Sequence, residues 1–121
     1  MARRVVVTGL GVISPCGNTV SESWDSIKNG RSGIARITHF DASGHNVQIA
    51  GEVKNFKPEL FMSGKEVRRR DRYQHLATAA AKEAAANSGL TVNDTNRNRI
   101  GVFVGSAVGG VTNFYDEVVE L

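Results

Sequence analysis

Cys16 is the single thiol of the chain. A cysteine does nucleophilic chemistry as its thiolate, which needs a nearby base, cation or helix N-terminus to form at neutral pH. Cys16 follows Pro15 in a turn and precedes the first helix cap by a few residues, with no histidine near it in sequence. It reads as a small buried residue rather than a nucleophile. His39, His45 and His75 share no metal-ligand spacing. Two fall in a polar loop and one on a helix, so they read as surface or capping residues, and no metal site is expected. Gly9-x-Gly11, after a run of valines, invites a dinucleotide fingerprint. That fingerprint needs a third glycine where Ser14 stands, and a helix opening on the glycines to aim its amides at a pyrophosphate. The helix cap comes only at Thr19, and no GxxxxGK-S/T phosphate loop occurs. The turn reads as the tight closure of a buried strand, and no cofactor is expected.

A second kind of chemistry is docking. Lys65-Glu66-Val67-Arg68-Arg69-Arg70-Asp71-Arg72 carries five positive and two negative charges. On one helix, Lys65, Arg68, Arg69 and Arg72 fall at spacings of three and four and form a stripe. Two readings stay open here. The stripe is a solvated face with salt bridges to Glu66 or Asp71, or it steers an anionic partner. Nucleic acid is not the expected partner, because no reader motif or aromatic interleaving accompanies the charge.

The elements that hold these residues follow from the apolar pattern. Residues 4–8 read as a buried strand, since valine is stiff at χ1 and fits a pleat. Three valines in succession imply cover on both faces. Gly9 and Gly11 then read as positions whose backbone angles a side chain would forbid. Thr19-Val20-Ser21-Glu22 fits a capping box that starts a helix. Val20, Trp24 and Ile27 share its face, and Gly30 is placed to end it. Residues 31–46 read as loop, 49–53 as a short weak strand, and Pro58 opens a turn or short helix through about Met62. A long helix is expected from Lys65 or Arg72 to Ser88, alanine-rich and stopped by Gly89. Its alanines permit close packing against a neighbour. Residues 100–104 read as a second buried strand running into glycines. An amphipathic helix follows, with Val111, Phe114, Tyr115, Val118 and Val119 on one face.

The totals bound the class. A chain of 121 residues is one domain at most. Formal net charge is +3, from 15 Lys+Arg against 12 Asp+Glu, and 40% of residues are hydrophobic. Neither disorder nor a membrane span fits, since the apolar runs fall far short of the ~20 residues a bilayer helix requires. With one cysteine and no pattern of an export signal, the cytoplasm is the default expectation.

Three segments, in this order and spacing, resemble the β-ketoacyl-acyl-carrier-protein synthases, most closely the type II enzymes of bacterial fatty-acid synthesis. They are Arg4-Val-Val-Val-Thr-Gly-Leu-Gly-Val-Ile-Ser-Pro-Cys-Gly-Asn18, Gly30-Arg-Ser-Gly-Ile34 and Ile100-Gly-Val-Phe-Val-Gly-Ser-Ala-Val-Gly-Gly110. The resemblance covers the whole chain. It implies an α/β, thiolase-like fold of two related halves in five layers. Residues 1–121 would be the N-terminal segment of the synthase N-terminal domain, apparently truncated, with buried strands at about 4–8 and 100–104. It implies an acyltransferase that performs a decarboxylative Claisen condensation of an acyl thioester with malonyl-acyl carrier protein. The partner would be acyl carrier protein bearing its phosphopantetheine, and the full-length protein a homodimer. The catalytic cysteine and two histidines would lie beyond Leu121, so this chain alone is expected to be inactive, and Cys16 does not inherit the role. Residue by residue, Lys65, Arg68 and Arg69 match the family's patch for the acidic carrier, and Val108 matches a position lining the acyl pocket near the dimer interface. Arg70 stands where the family usually has an apolar Met. A carrier-binding homologue without chemistry, a chain-length-factor-like subunit and a polyketide ketosynthase are the alternatives.

Overall fold

The computed structural model describes residues 3–120, so Leu121 lies outside the described residues. Helix α1 spans Val20–Lys28. A two-stranded antiparallel ribbon follows, β1 (Ile34–Arg36) with β2 (Ile49–Gly51), in the register Ile34–Gly51, Ala35–Ala50 and Arg36–Ile49. A 3-10 turn at Pro58–Leu60 leads into α2 (Gly64–Arg69) and α3 (Arg72–Ser88). A second 3-10 turn, Arg97–Arg99, precedes a stretch without regular structure before α4 (Val111–Val119).

Each helix starts and stops for a local reason. Thr19 Oγ1 accepts from the Glu22 N–H at 3.1 Å. Glu22 does not complete the expected box, because its Oε2 accepts from Asn18 N–H, at 2.7 Å, instead of from Thr19. Gly30 and Gly89 close α1 and α3 at φ +64° and +65°, where a Cβ is disfavoured. Trp24 and Ile27, expected to face inward on α1, are exposed, while Val20 is half-buried.

Of the two expected starts for the long helix, Arg72 is the one that forms, and the basic segment before it is a separate helix, α2. Arg70 adopts extended backbone (φ −117°, ψ 145°) and ends α2, and Asp71 then stands at the N-cap of α3. Asp71 prefers the cap position to the helix interior, and Gln74 Oε1 accepts from its N–H at 3.0 Å. β1 lies within the stretch expected to be loop; it forms because its partner β2 supplies the ladder that a three-residue strand cannot supply itself.

The alanines of α3 receive residues 9–12. A Cβ on Gly9 would stand 2.6 Å from Ser88 N, and one on Gly11 would stand 2.7 Å from Ala84 N. Both would also collide with carbonyl oxygens, of Ala84 and Ala80 respectively. Neither glycine has a positive φ. They are needed for close approach between two backbones, not for an unusual turn angle. Ser14 and Gly17 close the turn itself, with N···O distances of 2.9 and 3.1 Å across Pro15 and Cys16. Pro15 rests on the ribbon, where Gly33 and Gly51 leave room for its ring.

The two expected buried strands are the main correction. Residues 4–8 and 100–104 form neither helix nor strand and belong to no sheet. Val5 is 91% exposed and Phe103 97% exposed. Valine biases a segment toward extended backbone, but a strand exists only through hydrogen bonds to a neighbour, and burial needs a covering layer. Among the described residues nothing provides either. The buried apolar residues there are Ala42, Met62 and Ala79.

Candidate functional site

Helix α2 presents the basic cluster. Its N-terminus is fixed by a reciprocal box: Ser63 Oγ accepts from Glu66 N–H at 3.3 Å, while Glu66 Oε2 accepts from Ser63 N–H at 3.0 Å. The Ser63 hydroxyl also donates to Glu66 Oε2 at 2.8 Å, and Arg70 pairs with Glu66 Oε1 at 2.8 Å. These bonds, the Ser63 N–H foremost, hold the Glu66 carboxyl below its ordinary pKa. Glu66 is therefore engaged by its own cap and by Arg70. Asp71, the other acid of the cluster, accepts from the Asn113 side chain.

Lys65, Arg68 and Arg69 are exposed, and among the described residues no carboxylate pairs with them. The expected neutralising bridges to Glu66 or Asp71 do not form to these three. Arg72 leaves the stripe, because the helix break rotates it away. Its guanidinium sits 5.1 Å from the Phe56 ring centroid and donates to Val53 O at 3.4 Å. The stripe of four is thus a cluster of three on a short, doubly capped helix. Such an arrangement attracts an anionic surface at long range and leaves its charges free to pair on contact.

His75 lies behind this helix. It is buried, and its Nε2 is 3.1 Å from Val67 O in the last turn of α2. It caps carbonyls that the helix end leaves without partners. Lys82, two turns further along α3, donates to Phe61 O. Both residues brace the platform under the cations.

A groove of about 560 Å³ runs along α3, between Arg70, Tyr73, Ala77 and Ala81 on one side and Val102 and Val104 on the other. Val108 is outside this groove, in the bend before α4, and is 77% exposed. Alternation along residues 102–104 turns two valines toward α3 and leaves Phe103 outward.

Cys16 is half-buried, and its carbonyl accepts from Ser26 Oγ at 2.8 Å. Its Sγ is 4.0 Å from Arg31 O, a weak contact with an acceptor rather than a base. Among the described residues no three His, Cys, Asp or Glu side chains gather at metal-binding distance.

One residue of weight escaped the sequence reading. Glu83 Oε2 accepts from Val12 N–H at 2.9 Å, and Oε1 accepts from Val20 N–H at 2.8 Å. A single carboxylate thus ties the glycine turn and the first turn of α1 to α3. An acid at a helix N-terminus is favourable, because the first amides there lack partners. The only signal for it in the sequence is a lone acidic residue within the alanine run.

The family model described as "Beta-ketoacyl synthase, N-terminal domain" matches residues 2–121. The 3-oxoacyl-(acyl-carrier-protein) synthase 2 of Coxiella burnetii is 48% identical over 109 residues, covering 90% of this chain and 26% of that protein. The protein of the same name from Synechocystis is 43% identical over 115 residues, covering 95% of this chain and 28% of that one. Among solved structures, the ishigamide ketosynthase/chain length factor superposes with a TM-score of 0.67 at 40% identity, over 74% of this chain and 22% of that one. The chain spans about a quarter of the length of these curated relatives. The expected fold class stands: the chain is α/β and thiolase-like, although its two valine segments are unpaired in this structure. A match of the family model over residues 2–121, nearly the whole chain, makes this chain a member of the β-ketoacyl synthase family.

Proposed function

We propose that the chain serves a 3-oxoacyl-(acyl-carrier-protein) synthase of fatty-acid elongation, and that α2 is where the carrier protein lands. In this reaction an acyl group passes from the carrier to an enzyme cysteine. Malonyl-carrier then loses CO2, and the resulting carbanion attacks the acyl thioester. No residue of this sequence is assigned to those steps, so the chain by itself is expected to show no condensation. Its contribution is recognition: Lys65, Arg68 and Arg69 for the acidic carrier, and Val108 against the acyl chain. The same reading puts the protein in the cytoplasm, as a homodimer.

The observation that carries this reading is three exposed cations with no acidic partner among the described residues, on a helix whose own acid is occupied. A carrier with a phosphopantetheine arm presents the complementary charge, and transient binding by steering suits a substrate that must leave. The test is titration with holo-acyl carrier protein. Reversing all three (K65E, R68E, R69E) is expected to abolish binding, and wild-type affinity is expected to fall steeply with salt. Unchanged binding by the triple variant overturns the reading.

A second reading is favoured by the solved neighbour, whose title includes a chain length factor. Here the family member keeps the dock and does no chemistry, or serves polyketide assembly.

A further inference from the structure

Asp71 is shared between two helices. Its backbone carbonyl accepts from the Gln74 and His75 N–H groups at 3.0 and 3.1 Å, which opens α3. Its carboxylate accepts from the side-chain amide of Asn113, in the first turn of α4. Gly110, directly before α4, has φ +74°, and a Cβ there would stand 2.5 Å from Asp71 Oδ2. A Cβ on Gly109 would stand 2.6 Å from the Tyr73 ring. Two consecutive glycines therefore let the chain after Val108 lie directly on the first turn of α3.

Little else holds this region. Every residue of α4 is exposed, and among the described residues the Asn113–Asp71 bond is the only side-chain hydrogen bond that reaches it. A helix of nine residues is marginal in water unless something docks it. On the other side of the joint, Arg70 ends α2, and it is adjacent to Asp71. The span from the three free cations to Val108 thus runs through one residue pair.

We propose that Asp71, with Tyr73, is a clasp that positions residues 105–110, and so sets where Val108 stands relative to Lys65, Arg68 and Arg69. Asp71 and Tyr73 act here as positioning residues. Motion of α2 on docking is passed through the Arg70–Asp71 joint to the loop. The structural half of this inference stands on the contacts. Its functional half rests on the carrier-docking reading of α2.

Hydrogen exchange on the full chain tests both halves. Asn113→Ala removes the clasp bond and leaves the start of α3 untouched, and Asn113→Asp sets a second carboxylate against Asp71. Amides of residues 109–119 are expected to exchange about tenfold faster in N113A, and faster still in N113D, while the amides of α3 keep their rates. Equal rates in all three proteins, absence of protection in wild-type α4, or a parallel loss in α3 overturns the clasp. Added holo-acyl carrier protein is then expected to slow exchange in 63–70 and in 105–110 of the wild type, but only in 63–70 of N113A. Slowing of 63–70 alone in the wild type overturns the coupling. No slowing at 63–70 overturns the docking reading and the functional half with it, while the comparison of variants still decides the clasp.

Discussion

The glycine turn at residues 9–17 and the valine segments at 4–8 and 100–104 share the same apolar character in sequence, yet they meet opposite fates. The turn is fastened on two sides: to α3 through two glycines against the backbone of Ala80, Ala84 and Ser88 and the Val12 amide on Glu83, and to the ribbon through Pro15, while Glu83 also holds the Val20 amide that opens α1. The valine segments, one of them directly adjoining the turn, stand unpaired and bare. What separates them is not hydrophobicity but the presence of a complementary surface within the chain. Small residues on both partners let backbones approach, and polar groups then fix the register. Large apolar side chains need a layer to cover them, and extended segments need a neighbour to bond.

The contrast is sharpest in a pair of substitutions. Gly11→Val drives a branched side chain into the backbone of Ala80 and Ala84, which cannot retreat without unwinding α3. Overpacking of this kind is expected to cost about 3 kcal/mol. Val6→Lys, on an exposed side chain, is expected to change stability by less than about 0.5 kcal/mol and to lower self-association. Denaturant melts compared with sedimentation of the same proteins check the pair. A Gly11→Val chain as stable as wild type removes the close-approach account.

Glu83→Ala comes next. It strips the acceptor from two amides, Val12 N–H and Val20 N–H, and frees the turn from α3. Hydrogen bonds to a charged acceptor contribute about 1.5–3 kcal/mol each, and part-exposed amides recover some of that from water. A loss of about 2 kcal/mol is expected, with Glu83→Gln intermediate, since one amide oxygen replaces two carboxylate oxygens. A thermal melt reads it. A loss confined to the valine segments, with no change in exchange at 12 and 20, contradicts the role given to Glu83.

How much was legible follows the same division. The cap at Thr19, the stops at Gly30 and Gly89, and the amphipathic α4 are local facts, written in single side chains and readable without a partner; the Ser63 cap of α2 went unread. The packing role of the alanines was also readable, because small residues on a helix announce a close neighbour. The start of the long helix stays open in sequence between Lys65 and Arg72 because the run of charges has high helix propensity; what decides for Arg72, Asp71 at an N-cap, depends on Gln74 reaching back. The glycines were read for turn angles when their reason was an unseen helix backbone. Lys65, Arg68 and Arg69 were nameable from the sequence; that they stand free of Glu66 was not, because it depends on where Arg70 and Ser63 point.

The smallest expected effect lies in the two exposed carboxylates that the fold occupies, and it separates local caps from long-range ties. Glu66 is held below its ordinary pKa of 4.5, first by the Ser63 amide and hydroxyl. Glu52 is held below the same value, first by the Thr38 hydroxyl and amide. A depressed folded-state pKa means the unfolded chain binds protons more readily. The contribution is therefore fully present above about pH 4.5 and is lost as pH falls through the lower folded value. Melting temperature is expected to drop on acidification across that window. Ser63→Ala and Thr38→Ala are each expected to flatten the drop, additively, since the two sites share no partner. Because Glu66 bonds only within residues 63–70, Ser63→Ala is expected to raise exchange in α2 alone. Thr38→Ala loosens the link between the ribbon and residues 38–39, since Glu52 follows β2 and bonds across to them. A pH profile unchanged in both variants shows that water serves these carboxylates as well as the fold does, and confines the energetic difference between the regions to Glu83 and the glycines.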